Sequence, residues 1–283
     1  MATQDRSGGR RQGIGFIGLG NMGKAMAANV VAAGFPTTVF DRDPTPVQDL
    51  VRLGADQALT ARGLAEHSDV ICIVVMNDEQ TLSLMGGDDG LLAGLSPGTL
   101  IVLHSTISVD TCRRVAALAG PFGTSVVDAA VSGAEERSIA GTLTLMVGGA
   151  DADVERLAPL FEVVGSEVFH MGDLGMGQVT KQCNNLLTLT TLQVIEEALR
   201  LARALGVDEA RIRQVIETST GDSWALRNID QMRSIAHLYG ENSSMTRFGH
   251  KDIALVSELA AAADVPIPIT NFAFRQREPN DEV

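Results

Sequence analysis

The chain has 283 residues, enough for about two domains of ordinary size. Hydrophobic residues make up 45% and charged residues 20%, the balance of a folded chain rather than a disordered one. Asp and Glu number 35 against 22 Lys and Arg, and the net charge of -13 disfavours docking on nucleic acid or anionic lipid, so any anionic ligand must be held by local donors.

Residues 1–12 are polar, with Arg10 and Arg11 adjacent and no apolar core, which reads as a loose arm and not a signal peptide. The apolar run Ile14 to Ile17 then reads as a buried parallel strand. It enters Gly18-Leu19-Gly20-Asn21-Met22-Gly23, after which Lys24 to Val31 has helical composition and Gly34 is placed to end the helix. A second strand, Thr37 to Phe40, delivers Asp41. Strand, glycine turn, helix, strand and acid in that order make a dinucleotide fingerprint: one glycine for the tight turn, one for close approach of the pyrophosphate, one for helix packing. Asp41 is placed to bond the adenosine ribose and repel a 2′-phosphate, which favours NAD, whereas Arg42 could embrace that phosphate and admit NADP.

Asp69 to Met76 and Leu100 to Leu103 read as further buried strands ending in the polar loops Asn77-Asp78 and His104-Ser105-Thr106. Such loops lie beyond the carboxyl ends of strands, where ligands of doubly wound sheets bind. His104 is expected to be a structural donor rather than a base. After a strand at Ser125 to Val127, the small residues of Asp128 to Ala134 suit either a carboxylate cradle at Ser132 and Gly133 or a plain turn. Gly141 to Val147 alternates like a strand, Val154 to Phe161 reads as a helix, and Glu167 to His170 is placed to close the sheet.

From Gly177 to about Leu205 the pattern becomes one long helix, with helical segments beyond it. Lys181 and Asn185, four residues apart, leave one face of that helix. An ammonium beside a carboxamide can exchange a proton and fix a small polar ligand; an ordinary solvated lysine is the alternative. Lys251, read as close to the start of a helix opening near Gly249, is unfavourable against the dipole unless an anion compensates it. Trp224 is expected to anchor helix packing. Cys72, Cys112 and Cys183 have no metal-ligand spacing and sit in apolar or helical contexts, so three buried free thiols in a reducing compartment are expected. No metal and no spanning segment of about 18 apolar residues is expected, and the cytoplasm is the default location.

Taken together, the glycine loop, Asp128-Ala129-Ala130-Val131-Ser132-Gly133, Gly175-Met176-Gly177 with Lys181 and Asn185, and Lys251-Asp252 resemble the β-hydroxyacid dehydrogenase family, which includes 3-hydroxyisobutyrate dehydrogenase and tartronate semialdehyde reductase. The resemblance covers nearly the whole chain after the arm. It implies an α/β fold: a Rossmann-type dinucleotide-binding domain over residues 13–173, then a long interdomain helix and an all-helical C-terminal domain over 174–283. It further implies Lys181 as general acid/base, Ser132, Gly133 and Asn185 orienting a small carboxylate substrate, and Lys251 holding cofactor. By the same match Met22, Asp41, Met76 and Thr106 contact an NAD, or NADP, cofactor, and a homodimer or homotetramer is implied. Two departures stand out. Ala134 replaces a second glycine and is followed by Glu135-Glu136, and the chain stops where relatives continue into a further helix. A catalytically silent dinucleotide binder, or an imine reductase of the same fold, are the alternatives.

Overall fold

The computed structural model describes residues 12–237 and 245–275, so the expected arm, apart from Gln12, and the last eight residues lie outside the described residues. The chain divides between Lys181 and Gln182 into two compact units.

The first unit holds an eight-stranded sheet. Its strands are β1 (Ile14–Ile17), β2 (Thr37–Phe40), β3 (Asp56–Gln57), β4 (Val70–Ile73), β5 (Leu100–Leu103), β6 (Ser125–Ser132), β7 (Leu143–Gly148) and β8 (Gly165–His170). Their spatial order is β3-β2-β1-β4-β5-β6-β7-β8, and the first six are mutually parallel. Strand β7 runs antiparallel to β6. The helices between them are α1 (Asn21–Ala32), α2 (Pro44–Leu53), α3 (Ala61–Ala65), α4 (Asp78–Ser83), α5 (Val109–Ala119), α6 (Ala134–Ile139) and α7 (Asp151–Val164), and α8 (Met176–Ala204) begins in this unit.

Strand residues alternate between two cores, as the period of two requires. Val70 and Cys72 join Phe16, Val39, Val102 and Val127 beneath Met26 and Val30 of α1 and Leu160 of α7. Ile71 and Ile73 point the other way, with Ile101 and Leu103, against Leu64 of α3 and Val115 of α5. Burial on both faces is why β4 and β5 read as unbroken apolar runs rather than alternating ones.

Several expectations for the first unit need correction. Strand β4 ends at Ile73, three residues before Met76, and Asn77 instead caps α4 by accepting from the Gln80 amide at 2.9 Å. Asp128 to Ser132 is not a loop: β6 runs on to Ser132, because β7 turns back beside it and pairs Asp128 with Gly148 and Ser132 with Thr144. The helix before β8 is longer at both ends than expected, Asp151–Val164, and tolerates Pro159.

The second unit contains the rest of α8 with α9 (Glu209–Glu217), α10 (Trp224–Arg227), α11 (Ile229–His237), α12 (Met245–Ala262) and α13 (Pro268–Arg275). Leu189, Leu192, Ile195 and Leu199 recur at helical spacing along α8 and pack with Leu226, Ile229, Met232 and Ile253. Arg233 of α11 clamps this bundle through Glu196 of α8 (2.7 Å) and Glu209 of α9 (2.7 Å). Those two carboxylates raise its pKa. Trp224 is 43% exposed and so does not anchor the packing; Ala225 and Leu226 beside it do. Cys72 and Cys112 are buried, but Cys183 is exposed, on the outer side of α8, contrary to expectation. Among the described residues no helix is long and apolar enough to cross a membrane, and no cluster of His, Cys, Asp or Glu could hold a metal ion.

Candidate functional site

Strand register sets where chemistry can occur in the first unit. Phe40, Ile17, Ile73, Leu103, Asp128 and Gly148 lie side by side across β2, β1, β4, β5, β6 and β7. The glycine loop and Asp41 therefore leave the same sheet edge to which Asp128 belongs. Three strand spacings separate Ile17 from Asp128, roughly 14 Å.

In the glycine loop each glycine has a distinct reason. Gly18 has φ +90 and a side chain there would lie 2.5 Å from the Val74 carbonyl, while one at Gly23 would strike the Gly18 carbonyl. Gly20 faces open space, with no atom within 4 Å of where its Cβ would be. It caps α1 without a side chain, and the first turn carries no acid, so the leading amides of α1 face an open, unopposed anion cradle. That arrangement fits the pyrophosphate of a dinucleotide. Leu19 is buried and contributes its amide, which donates to Asp41 Oδ2 at 2.6 Å; Asp41 Oδ1 accepts from the Asp43 amide at 2.8 Å. Gly18, Gly20, Asp41, Arg42 and Met76 line one pocket of about 250 Å³. Met22 packs against the core, and Thr106, half-buried after β5, does not line this pocket.

The cradle at the end of β6 is fastened to the same loop. Gly133 has φ +138, and Ala134, which opens α6, adopts φ +54. Asn29 of α1 donates to the Ser138 carbonyl (2.9 Å), Ser138 Oγ to the Met22 carbonyl (3.1 Å), and Asn21 Nδ2 to Glu135 Oε2 (3.1 Å). Ser132 and Gly133 are both half-buried, so their polar groups remain reachable.

Lys181, also half-buried, sits in the second turn of α8. The start of that helix meets β6 and β7 directly. Asp128 Oδ1 accepts from the Gly175 amide at 2.6 Å, and Oδ2 from the Gln178 amide at 2.7 Å. Gln178, wholly buried, donates from Nε2 to the Ser105 carbonyl (2.8 Å) and accepts from the Ile107 amide (3.1 Å). Burial pushes the Asp128 carboxyl up to about 6, against the pull of the amides it accepts from. His104 is buried and bonds the Ala129 carbonyl through Nδ1 at 2.8 Å; burial drives its pKa down to about 4, so it stays neutral and structural. Asp78 accepts from both the amide (2.9 Å) and the hydroxyl (2.6 Å) of Ser108, tying the loops after β4 and β5 together. Burial opposes its charge, but these bonds prevail and its pKa is lowered.

Asn185, Lys251 and Asp252 belong to the second unit and form an arrangement of their own. Asn185 Nδ2 donates to Asp252 Oδ2 at 2.9 Å, and Asp252 Oδ1 lies 3.2 Å from Lys251 Nζ. The dipole argument for Lys251 fails, because α12 begins at Met245 and Lys251 is already in its second turn.

Asp128, Gln178, Asp78 and Asp252 were not singled out as site residues from the sequence. Asp78 and Asp128 lie in stretches read from the sequence as ligand-flanking, and Asp252 neighbours Lys251, but no role was assigned to any of them.

Comparison with known proteins covers most of the chain. Residues 13–172 match a family described as the NAD binding domain of 6-phosphogluconate dehydrogenase, and residues 175–278 match one described as NAD-binding of NADP-dependent 3-hydroxyisobutyrate dehydrogenase. An NAD-dependent L-serine dehydrogenase of Pseudomonas aeruginosa is 36% identical, over 92% of this chain and 89% of that protein. A 3-hydroxyisobutyrate dehydrogenase of the same organism is 41% identical, over 75% of this chain and 72% of that one. Among solved structures, a Mycobacterium tuberculosis 3-hydroxyisobutyrate dehydrogenase with L-serine superposes with a TM-score of 0.79 at 30% identity, over 94% of this chain and 92% of that one. A glycine loop built for a dinucleotide, followed by a Lys181-bearing helix and matched over most of the chain by these families and relatives, makes this chain a member of the β-hydroxyacid dehydrogenase family of NAD(P)-dependent oxidoreductases.

Proposed function

We propose that the protein catalyses reversible NAD-dependent oxidation of a small β-hydroxy acid to its semialdehyde or keto acid, with Lys181 as general acid/base. The observation that carries this reading is the common sheet edge: the helix bearing Lys181 is anchored on Asp128, in the same row of residues that leads into Gly18 and Asp41. The bound nicotinamide supplies or accepts the hydride. In oxidation Lys181, as the free amine, takes the proton of the substrate hydroxyl; in reduction, as the ammonium, it returns a proton to the forming alkoxide. Ser132, the Gly133 amide and Asn185 orient the substrate carboxylate, and Lys251 holds the cofactor. Residues 13–173 are the dinucleotide-binding domain and residues 174–283 the helical C-terminal domain. L-Serine and 3-hydroxyisobutyrate, the acids named for relatives, are the first substrates to assay.

Assembly into a homodimer or homotetramer is part of the proposal. Leu187, Val194 and Leu201 recur every seven residues on α8 and are 66%, 56% and 63% exposed, an apolar stripe suited to a second copy. Light scattering checks it, and a monomer at micromolar concentration overturns it. A reducing compartment, the cytoplasm, suits the free thiols of Cys72 and Cys112.

The test is the nicotinamide absorbance change with a panel of β-hydroxy acids, in the wild type and in Lys181→Ala. The variant is expected to keep NADH binding and to lose at least 100-fold in kcat, in the range set by loss of a positioned acid/base. Wild-type turnover of none of the panel, or full turnover by the variant, overturns the reading.

A further inference from the structure

The long helix that carries Lys181 starts without a side-chain cap of its own. Its leading amides instead meet a carboxylate from far away in the chain: Asp128, on β6, takes the Gly175 and Gln178 amides on separate oxygens. The Met176 amide goes to the Asp173 carbonyl at 3.0 Å. Two amides at the helix start thus meet one buried carboxylate.

Two glycines make this contact possible. A Cβ at Gly148 would lie 2.5 Å from Asp128 Oδ1 and 2.9 Å from the Gly177 nitrogen, and one at Gly177 would lie 2.7 Å from Asp128 Oδ2 and strike the Met146 carbonyl. Gly175, at φ +98, supplies the left-handed turn that aims the amides inward. Gln178 then bolts the same turn to the Ser105–Ile107 segment beyond β5. Lys181 lies three residues after Gln178 and four after Gly177, on the face these contacts hold.

We infer that Asp128 and Gln178 are positioning residues for the reaction: together they fix the first turn of α8 against the sheet and so set the placement of the Lys181 amine. This rests on the proposed role of Lys181. A helix start left free to shift by an ångström would misplace that amine, and losses of about 100-fold accompany misplacements of that size.

The experiment compares Asp128→Asn, Gln178→Met and Lys181→Ala, alone and in pairs, with the panel acid that the wild type turns over fastest. Asp128→Asn keeps the size but offers one acceptor and turns a donor toward an amide. Each positioning variant is expected to lose at least tenfold in kcat while the KM for the acid and the Kd for NADH stay within about twofold. Amide exchange at Gly175 to Gln178 should quicken in Asp128→Asn. Adding either substitution to Lys181→Ala should cost little more, since both act through the same amine. If Asp128→Asn fails to fold, Gln178→Met carries the same expectation. Undiminished kcat in a folded variant, or losses that multiply with Lys181→Ala, overturn the positioning role and leave Lys181 untouched. Full turnover by Lys181→Ala overturns the role of Lys181 instead.

Discussion

Asn185 of α8 donates its carboxamide to Asp252 of α12 at 2.9 Å, and the second oxygen of that carboxylate lies 3.2 Å from Lys251. One half-buried acid thus orients both second-unit residues assigned to the site. Asp252→Ala removes the acceptor that fixes the Asn185 amide, a bond of about 1 kcal/mol. With Asn185 orienting the substrate, the KM for the hydroxy acid is expected to rise about fivefold, with kcat less affected. Steady-state kinetics check this, and an unchanged KM would show that Asp252 does not set the orientation of Asn185.

The proposed preference for NAD turns on Asp41. Its carboxylate receives the Leu19 amide at 2.6 Å and so stands, charged and fixed, at the end of β2 beside the glycine loop. A 2′-phosphate brought to the same place meets like charge, which costs on the order of 2 kcal/mol or ~30-fold. The wild type is expected to use NAD with higher kcat/KM than NADP, and Asp41→Ser to lower that ratio at least tenfold. A wild-type preference for NADP would hand the decision to the exposed Arg42 next to it.

The dinucleotide half was legible because its signals are local. Gly18, Gly20, Gly23 and Asp41 are spaced by the geometry of one strand, turn, helix and strand, so a short stretch of sequence carries the whole constraint. Asp128 was different. Its amide partners lie 47 and 50 residues further along the chain, and no pattern near it announces a buried carboxylate serving a distant helix. The same lack of long-range information hid the return of β7 beside β6, which turns Asp128 to Ser132 from an apparent loop into a strand. Helix ends were the other weakness. The apparent start near Gly249 ignored the preceding residues from Met245, and with them went the electrostatic case for Lys251. Exposed Trp224 and Cys183 show the limit of composition, since an aromatic or a thiol in an amphipathic helix can fall on either face.

Ala134 stores strain at the cradle. It opens α6 at φ +54, where a Cβ crowds the following carbonyl and costs roughly 1–2 kcal/mol. Glycine adopts this conformation freely but gives back up to ~1 kcal/mol through the entropy of the unfolded chain. Ala134→Gly is therefore expected to stabilise the protein by about 0.5–1 kcal/mol. The midpoint of urea unfolding should rise with an unchanged slope. A lower midpoint would mean that α6, held to α1 through Ser138 and Asn29, needs the methyl group for packing more than it suffers from the strain.

Stability against acid depends on two buried groups that pull in opposite directions. The His104 pKa falls from 6.5 to about 4 because burial penalises the imidazolium. Above pH 6.5 both folded and unfolded chains hold it neutral. As pH drops from 6.5 towards 4 only the unfolded chain takes up the proton, so stability is lost through that window. Asp128 does the reverse: its carboxyl, raised from 3.8 to about 6, keeps a proton in the folded chain that the unfolded chain has released, so stability is gained as pH falls through 6 towards 3.8. His104→Asn retains an N–H for the Ala129 carbonyl without a titrating ring, and comparison with the wild type cancels the Asp128 contribution. Urea unfolding at pH 7 and pH 5 should show the wild type losing about 2 kcal/mol more than the variant on acidification. Equal losses would mean that the imidazole titrates alike in both states, and that the burial of His104 at the end of β5 opens before the chain unfolds.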